Sequence, residues 1–282
     1  MGAANDHGVF GVDETADLLW FYDMHGYAIL RGLVDEARLA QIEAECTEAQ
    51  ARVAGGELAG RHGSTVFLDE DVSVSARVVN YVEYVSEVSP AVAEAVTDPV
   101  LASVMRAILG PECWLRAHEQ FGVVYQDARP GRDSGYARIG WHSDWQAGPS
   151  LDVWPSTAFT IHVDGTSPAN GFLRVVPGSH LWATPAPFRN ANGVTVPDSA
   201  RATGGRTDRT PPFDMPLRFE KMRGEVAVYA EAGDVLLHDA YLWHSAARAT
   251  DDDTRRRHVR GGYFGGVRPP AGVEEFIKNA AR

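Results

Sequence analysis

His142-Ser143-Asp144, inside Trp141-His142-Ser143-Asp144-Trp145, places an imidazole and a carboxylate two positions apart. In an extended strand, residues i and i+2 point to the same face, so the two side chains converge on one ion. A second imidazole would complete a face of two nitrogens and one oxygen on a metal with its other positions open, the arrangement of non-haem Fe(II) oxygenases. His244 is the candidate. It lies in Tyr241-Leu242-Trp243-His244-Ser245, after the turn Gly233-Asp234 and the apolar run Val235-Leu236-Leu237, so strand geometry delivers it to the same place. The triplet alone is a common pattern: the chain has ten histidines and a competitor, His162-Val163-Asp164. The alternation of Ala158 to Asp164 puts Thr160, His162 and Asp164 on one face. On this reading His162 contacts substrate or supports the ligands, and the second triplet is the reserve metal site.

Arg255, eleven residues beyond His244, gives the cluster a further meaning. An oxygenase of this kind needs two electrons beyond those of its substrate, and a keto-dicarboxylate that chelates iron supplies them by losing carbon dioxide. Its far carboxylate needs an anchor, and a guanidinium binds one bidentately while keeping its charge. The alternative is that Arg255-Arg256-Arg257 is a solvated cluster balancing Asp251-Asp252-Asp253.

The elements that position these residues follow from composition and periodicity. The 282 residues can bury a sizeable core. Lys+Arg 26 against Asp+Glu 38 leaves a net charge of −12, which excludes a surface built for nucleic acid and disfavours anionic membrane. Cys46 and Cys113 are too few for a disulfide scaffold. With no basic-then-apolar leader and no apolar run of spanning length, the expected location is the cytoplasm. Gly26 to Val34 is β-rich. Asp35 caps a helix, and Leu39, Ile42, Cys46, Ala49 and Val53 form its buried stripe until Gly55-Gly56. Residues 57 to 75 read as a loop, and 78 to 97 as strand or helix. Asp98-Pro99 opens a second helix, which turns Leu101, Val104, Met105, Ile108 and Leu109 inward and ends at Gly110. From Cys113 onward come short β runs: 114–126, 139–142, 158–163, 171–176, 226–230, 234–238 and 260–264. The prediction is a mainly β fold with flanking helices, a jelly roll or double-stranded β-helix of cupin-like form. Residues 1–282 make a single domain, with helices at about 35–54 and 98–110 as scaffold and 181–223 as a lid-like insertion.

His142-x-Asp144, His244 and Arg255, with the run Ser167-Pro168-Ala169-Asn170-Gly171-Phe172-Leu173-Arg174-Val175-Val176-Pro177-Gly178-Ser179-His180 and the opening Phe21 to Leu30, resemble the phytanoyl-CoA hydroxylase (PhyH) group of iron(II)/2-oxoglutarate-dependent dioxygenases. The resemblance implies that His142, Asp144 and His244 hold Fe(II), that Arg255 holds the distal carboxylate of 2-oxoglutarate, and that O2 is consumed. It favours His142 over His162, because the Asn-Gly-x-Leu run follows at the family's interval. Two positions depart from the pattern. A serine that some members carry two residues after the distal histidine is Ala246 here. Thr160 stands where others have a tryptophan or hydroxyl residue facing the cosubstrate, and it is expected to supply that hydrogen bond.

The implied function is oxygenation of a small-molecule C–H bond, by hydroxylation or by radical epimerisation or cyclisation, coupled to conversion of 2-oxoglutarate to succinate. Ala/Gly/Arg-rich usage resembles that of high-GC actinobacterial proteins. Members of this group there tailor natural products, as in the nogalamycin-pathway carbocyclase and epimerase. A secondary-metabolite substrate and a role in antibiotic biosynthesis are therefore expected. Trp141, Trp145, Trp154 and Trp243 near the expected mouth suit a bulky or aromatic substrate, or else pack the core. The alternatives are a non-redox metal-dependent isomerase or lyase on a cupin-like barrel, and a non-catalytic binding module.

Overall fold

The computed structural model describes residues 8–63, 79–119, 121–129, 140–144, 156–181, 221–247, 249–268 and 270. Along the chain run β1 (Val9–Phe10), α1 (Thr15–His25), β2 (Tyr27–Leu30), α2 (Glu36–Ala54), β3 (Tyr81–Val82), α3 (Pro90–Val96) and α4 (Pro99–Leu109). Then follow β4 (Trp114–Leu115), β5 (Val124–Ala128), β6 (Ser156–His162), β7 (Leu173–Val175), β8 (Val226–Val228), β9 (Val235–Asp239), β10 (His244–Ala246) and β11 (Arg256–Phe264).

The capped helices lie where their punctuation puts them. The Asp35 carboxylate accepts from Arg38 N at 2.8 Å, and α2 buries Ile42, Cys46 and Ala49. Asp98 accepts from Val100 N at 2.8 Å, Pro99 takes the first helical position, and α4 buries Leu101, Val104 and Met105. A cap of this kind contributes about 1 kcal/mol. Of the ambiguous stretch 78–97, the described residues 79–97 resolve into β3, a 3-10 turn at Val85–Glu87, and α3, whose Ser89 hydroxyl accepts from Val92 N. Helix α1 was not anticipated; it buries Leu18, Phe21 and Tyr22 and stops at Gly26, which takes φ 78°.

Among the described residues the strands form two sheets rather than a closed barrel. The larger runs β1-β2-β9-β6-β11-β5-β3, with β4 also on β11, and the smaller runs β10-β7-β8. Every pairing is antiparallel except β1 with β2. One face of the larger sheet turns Phe159, Ile161, Leu237, Val259 and Tyr263 into the apolar core, and α4 packs on β6 and β11. By alternation the opposite face carries His238, Leu236, Ala158, Thr160, His162, Gly262, Arg260, His258 and Arg256.

Several expected strand limits shift. The run 114–126 divides into β4 and β5 around Phe121 and Gly122, both at positive φ. Residues 140–142 form no strand, only an isolated bridge from His142 to His244; Ile139 lies outside the described residues. β11 begins at Arg256 rather than Arg260, because Val259 is buried in the core and Arg257 pairs with carboxylates on the helix side. Of the expected lid, 182–220 lie outside the described residues.

Candidate metal centre

The centre is assembled by one backbone contact. His142 N donates to His244 O at 3.0 Å, and His244 N donates to His142 O at 2.9 Å. This doubly bonded antiparallel pair holds two distant chain segments together and sets the imidazole ring centroids 4.2 Å apart. Each ring is then fixed in the same way. His142 Nδ1 donates to Gly140 O at 2.8 Å and His244 Nδ1 to Leu242 O at 2.9 Å. With Nδ1 carrying the hydrogen, Nε2 keeps the lone pair in both rings, which is the tautomer a metal requires.

Asp144 supplies the oxygen. Its Oδ1 lies 3.8 Å from His142 Nε2 and 3.7 Å from His244 Nε2. One ligand atom from each of His142, Asp144 and His244 falls within 4.8 Å of the others. Burial alone would raise the Asp144 carboxyl, but the hydrogen bond from His238 and the charges of His244, His238 and His142 outweigh it and hold the group well below the usual carboxylate range. Burial, with His142 and His238 next, holds His244 well below an ordinary imidazole. An ionised carboxylate beside a neutral imidazole is the protonation state that binds a cation.

His238 was missed. It lies on β9, and its Nε2 is 3.2 Å from Asp144 Oδ2. The available signal was a histidine ending the apolar run Val235-Leu236-Leu237, but a central strand covered on both faces shows no alternation to mark it.

The other expected site residues are distributed over both faces of the larger sheet. Thr160 lies on the triad-side face, opposite Leu236 on β9 and Arg260 on β11, and is partly open. Arg255 lies on the far side: its Nε and NH2 donate to Asp127 Oδ1 and Oδ2 at 3.0 and 2.9 Å. That carboxylate is fully buried and also accepts from Arg129 and from Gln50 of α2. Arg256, buried at the start of β11, alternates onto the Thr160 face. Asn170, from the Ser167 to His180 run, braces this corner by donating to Gly165 O and Arg255 O.

The reserve metal site does not assemble. β6 ends at His162, and the Val163 and Asp164 N–H groups both donate to Arg257 O, so strict alternation stops there. Asp164 turns to the helix side, where its oxygens accept from Arg257 Nε and NH2 at 2.9 and 2.7 Å, and Arg257 also meets Glu43 of α2. His162 stays buried on the triad-side face; burial, then Arg256, pushes it down to about 3. Trp141 and Trp243 are 1% and 2% exposed, and the Arg174 guanidinium covers the Trp141 ring at 4.8 Å, so these two pack rather than line a mouth. Trp145 and Trp154 lie outside the described residues. Ala246 pairs with Leu173 and offers no hydroxyl.

Known proteins resemble this chain over most of its length. The model of the family described as phytanoyl-CoA dioxygenase (PhyH) matches residues 22–257. The chain is 26% identical over 250 residues to the ectoine dioxygenase of Nocardia farcinica, covering 86% of this chain and 75% of that protein. The crystal structure of AviO1 from Streptomyces viridochromogenes superposes with a TM-score of 0.61 at 20% identity, over 91% of this chain and 97% of that one. The epimerase SnoN from nogalamycin biosynthesis, in complex with Fe3+, alpha ketoglutarate and nogalamycin RO, gives 0.60 at 21% identity, over 93% and 88%.

Proposed function

Because the chain belongs to the phytanoyl-CoA dioxygenase family and is an iron- and 2-oxoglutarate-dependent oxygenase, we propose that His142, Asp144 and His244 hold its iron and that its substrate is a natural product oxidised at a C–H bond. The single observation that carries the ligand assignment is the two-way backbone bond between His142 and His244, which presents two lone-pair nitrogens beside the Asp144 carboxylate. The donor set fits the metal: two imidazoles and one carboxylate on one face suit iron and leave positions for a chelating cosubstrate and dioxygen. When bound, iron and 2-oxoglutarate supply the oxidising chemistry: in a hydroxylation one oxygen atom of O2 leaves in succinate, the other enters the product, and carbon dioxide is released.

The chain's own residues bind and orient. The position of Arg255 eleven residues after His244 made it the expected anchor for the distal carboxylate. Its engagement with Asp127 supports moving that role to Arg256, whose side chain shares a face with Thr160 and with the uncharged imidazoles of His162 and His258. Burial and Arg256 lower both imidazoles, so the positive charge that an anion would meet there comes from arginine rather than from these histidines. Thr160 stands one alternation from His162 on the same face of β6, opposite Arg260 of β11, and its hydroxyl would donate to the cosubstrate.

A double-stranded β-helix fold is supported by the two antiparallel sheets and by the likeness to SnoN and AviO1. A secondary-metabolite substrate and a role in antibiotic biosynthesis are supported by SnoN, which comes from nogalamycin biosynthesis and holds nogalamycin RO. The single-domain reading, with 181–223 as a lid, and a cytoplasmic location belong to the same proposal; among the described residues no helix is long and apolar enough to cross a membrane. Family membership decides against the isomerase or lyase and the non-catalytic module. Turnover of candidate metabolites with iron, ascorbate and 2-oxoglutarate, read by mass spectrometry, tests the proposal: a product 16 mass units heavier means hydroxylation, as one oxygen atom requires. Unchanged mass with altered configuration means epimerisation, and loss of two hydrogens means ring closure or desaturation. Uncoupled succinate release with every natural product tried overturns the substrate class.

A further inference from the structure

We infer that His238 is a positioning residue for the metal: it holds the second oxygen of Asp144, so that the carboxylate offers a single oxygen to the ion. This rests on the assignment of His142, Asp144 and His244 as iron ligands. The two carboxylate oxygens have different surroundings. Oδ1 faces His142 Nε2 and His244 Nε2 at 3.8 and 3.7 Å, whereas Oδ2 lies 3.2 Å from His238 Nε2. An ionised carboxylate only accepts hydrogen bonds, so His238 Nε2 carries the hydrogen and donates it. A nitrogen that carries a hydrogen has no lone pair for a metal, which separates His238 from the two histidines beside it. The His238 ring still sits close, with its centroid 4.5 Å from that of His244.

The supports of the two partners differ as well. Asp144 belongs to no strand, and its side chain is 38% exposed. His238 is 10% exposed at the side chain, and its backbone is paired on both sides, with Tyr27 of β2 and Ala158 of β6. A donor on a central strand thus fixes an acceptor that belongs to no strand. The consequence is a coordination number. A carboxylate bound through both oxygens would occupy one of the positions that cosubstrate and dioxygen require; one bound through Oδ1 alone leaves three open on an octahedral ion.

The test uses the full chain. Anaerobic Fe(II) affinity is measured by chelator competition for the wild type, His238→Phe and His238→Gln, and pulsed EPR with oxovanadium(IV) in the site counts bound imidazole nitrogens. The expected result is two bound nitrogens in the wild type and in His238→Gln. Fe(II) affinity falls by roughly 10–100-fold in His238→Phe, the usual effect of losing a residue that orients a ligand. The glutamine amide donates in place of the ring and restores most of that loss. Unchanged affinity in His238→Phe reduces His238 to packing and overturns the inference. Three nitrogens in the wild type make His238 a ligand and also overturn it, without any variant having to fold. A wild type that takes up no Fe(II) overturns the ligand assignment itself, a different failure from either of these.

Discussion

His142 and His244 exchange both backbone hydrogen bonds, at 3.0 and 2.9 Å, although one lies outside the named strands and the other opens a strand of the smaller sheet. The pair sets both rings before any metal arrives, and the Asp144 carboxylate completes the face. Replacing His142 or Asp144 by alanine is therefore expected to abolish succinate formation and to weaken Fe(II) binding by more than the roughly 10–100-fold typical of a residue that only orients a ligand. His162→Ala leaves Fe(II) binding intact. Chelator-competition titration of the three variants checks this, and the reverse order would move the metal to His162.

Arg255 and Arg256 are expected to fail in different ways. Arg255→Ala removes one partner of buried Asp127 but leaves Arg129 and Gln50, so it costs about 1–2 kcal/mol of stability and leaves the half-saturating 2-oxoglutarate concentration unchanged. Arg256→Ala raises that concentration by roughly 30-fold or more, as loss of one side of a buried charge pair does. Denaturant unfolding and initial rates of succinate release separate the two. A raised requirement in Arg255→Ala alone would return the anchor to Arg255.

Asp164 is a structural carboxylate. Asp164→Ala leaves the nearly buried Arg257 with Glu43 as its remaining acid partner among the described residues, and a loss of about 3 kcal/mol is expected, with unaltered Fe(II) affinity. Urea titration and metal titration on the same preparation check both halves.

The buried His162 predicts a pH dependence of stability. Its folded value, about 3, lies below the ordinary 6.5. The unfolded chain therefore takes up the proton first, and the stability is fully present above pH 6.5 and drains away as the pH falls from there toward 3. His258, also lowered by burial and by Arg256, acts in the same direction. Each such imidazole contributes a slope of up to about 1.4 kcal/mol per pH unit within its window. Unfolding at pH 7, 6 and 5 checks this: the wild type loses stability faster than His162→Gln, and parallel curves would show that His162 is protonated in the folded chain.

Much of the site was legible because its chemistry is local. His142-x-Asp144 converges through an i, i+2 relation, and α2 and α4 announce themselves through Asp35, Asp98-Pro99 and their closing glycines. Helix α1 gave little signal, since only Leu18, Phe21 and Tyr22 are buried in it and Trp20 is 68% exposed. The arginine assignment failed to resolve for a geometric reason. Neighbouring residues of a strand point to opposite faces, so one residue of uncertainty in where β11 begins exchanges Arg255 with Arg256. Asp164 was misplaced by the same sensitivity, because the strand ends two residues before it. His238 escaped because its partner is Asp144, ninety-four positions away, and no local period records such a pair.

The central claim is that His142, Asp144 and His244 form the iron site of a 2-oxoglutarate-dependent oxygenase. Its most direct measurement is the anaerobic visible spectrum of the wild type with Fe(II) and 2-oxoglutarate, beside that of His244→Ala. A weak metal-to-ligand charge-transfer band is expected to saturate at one iron per chain in the wild type and to be absent from the variant. A flat wild-type spectrum, or the same band in both proteins, would contradict it.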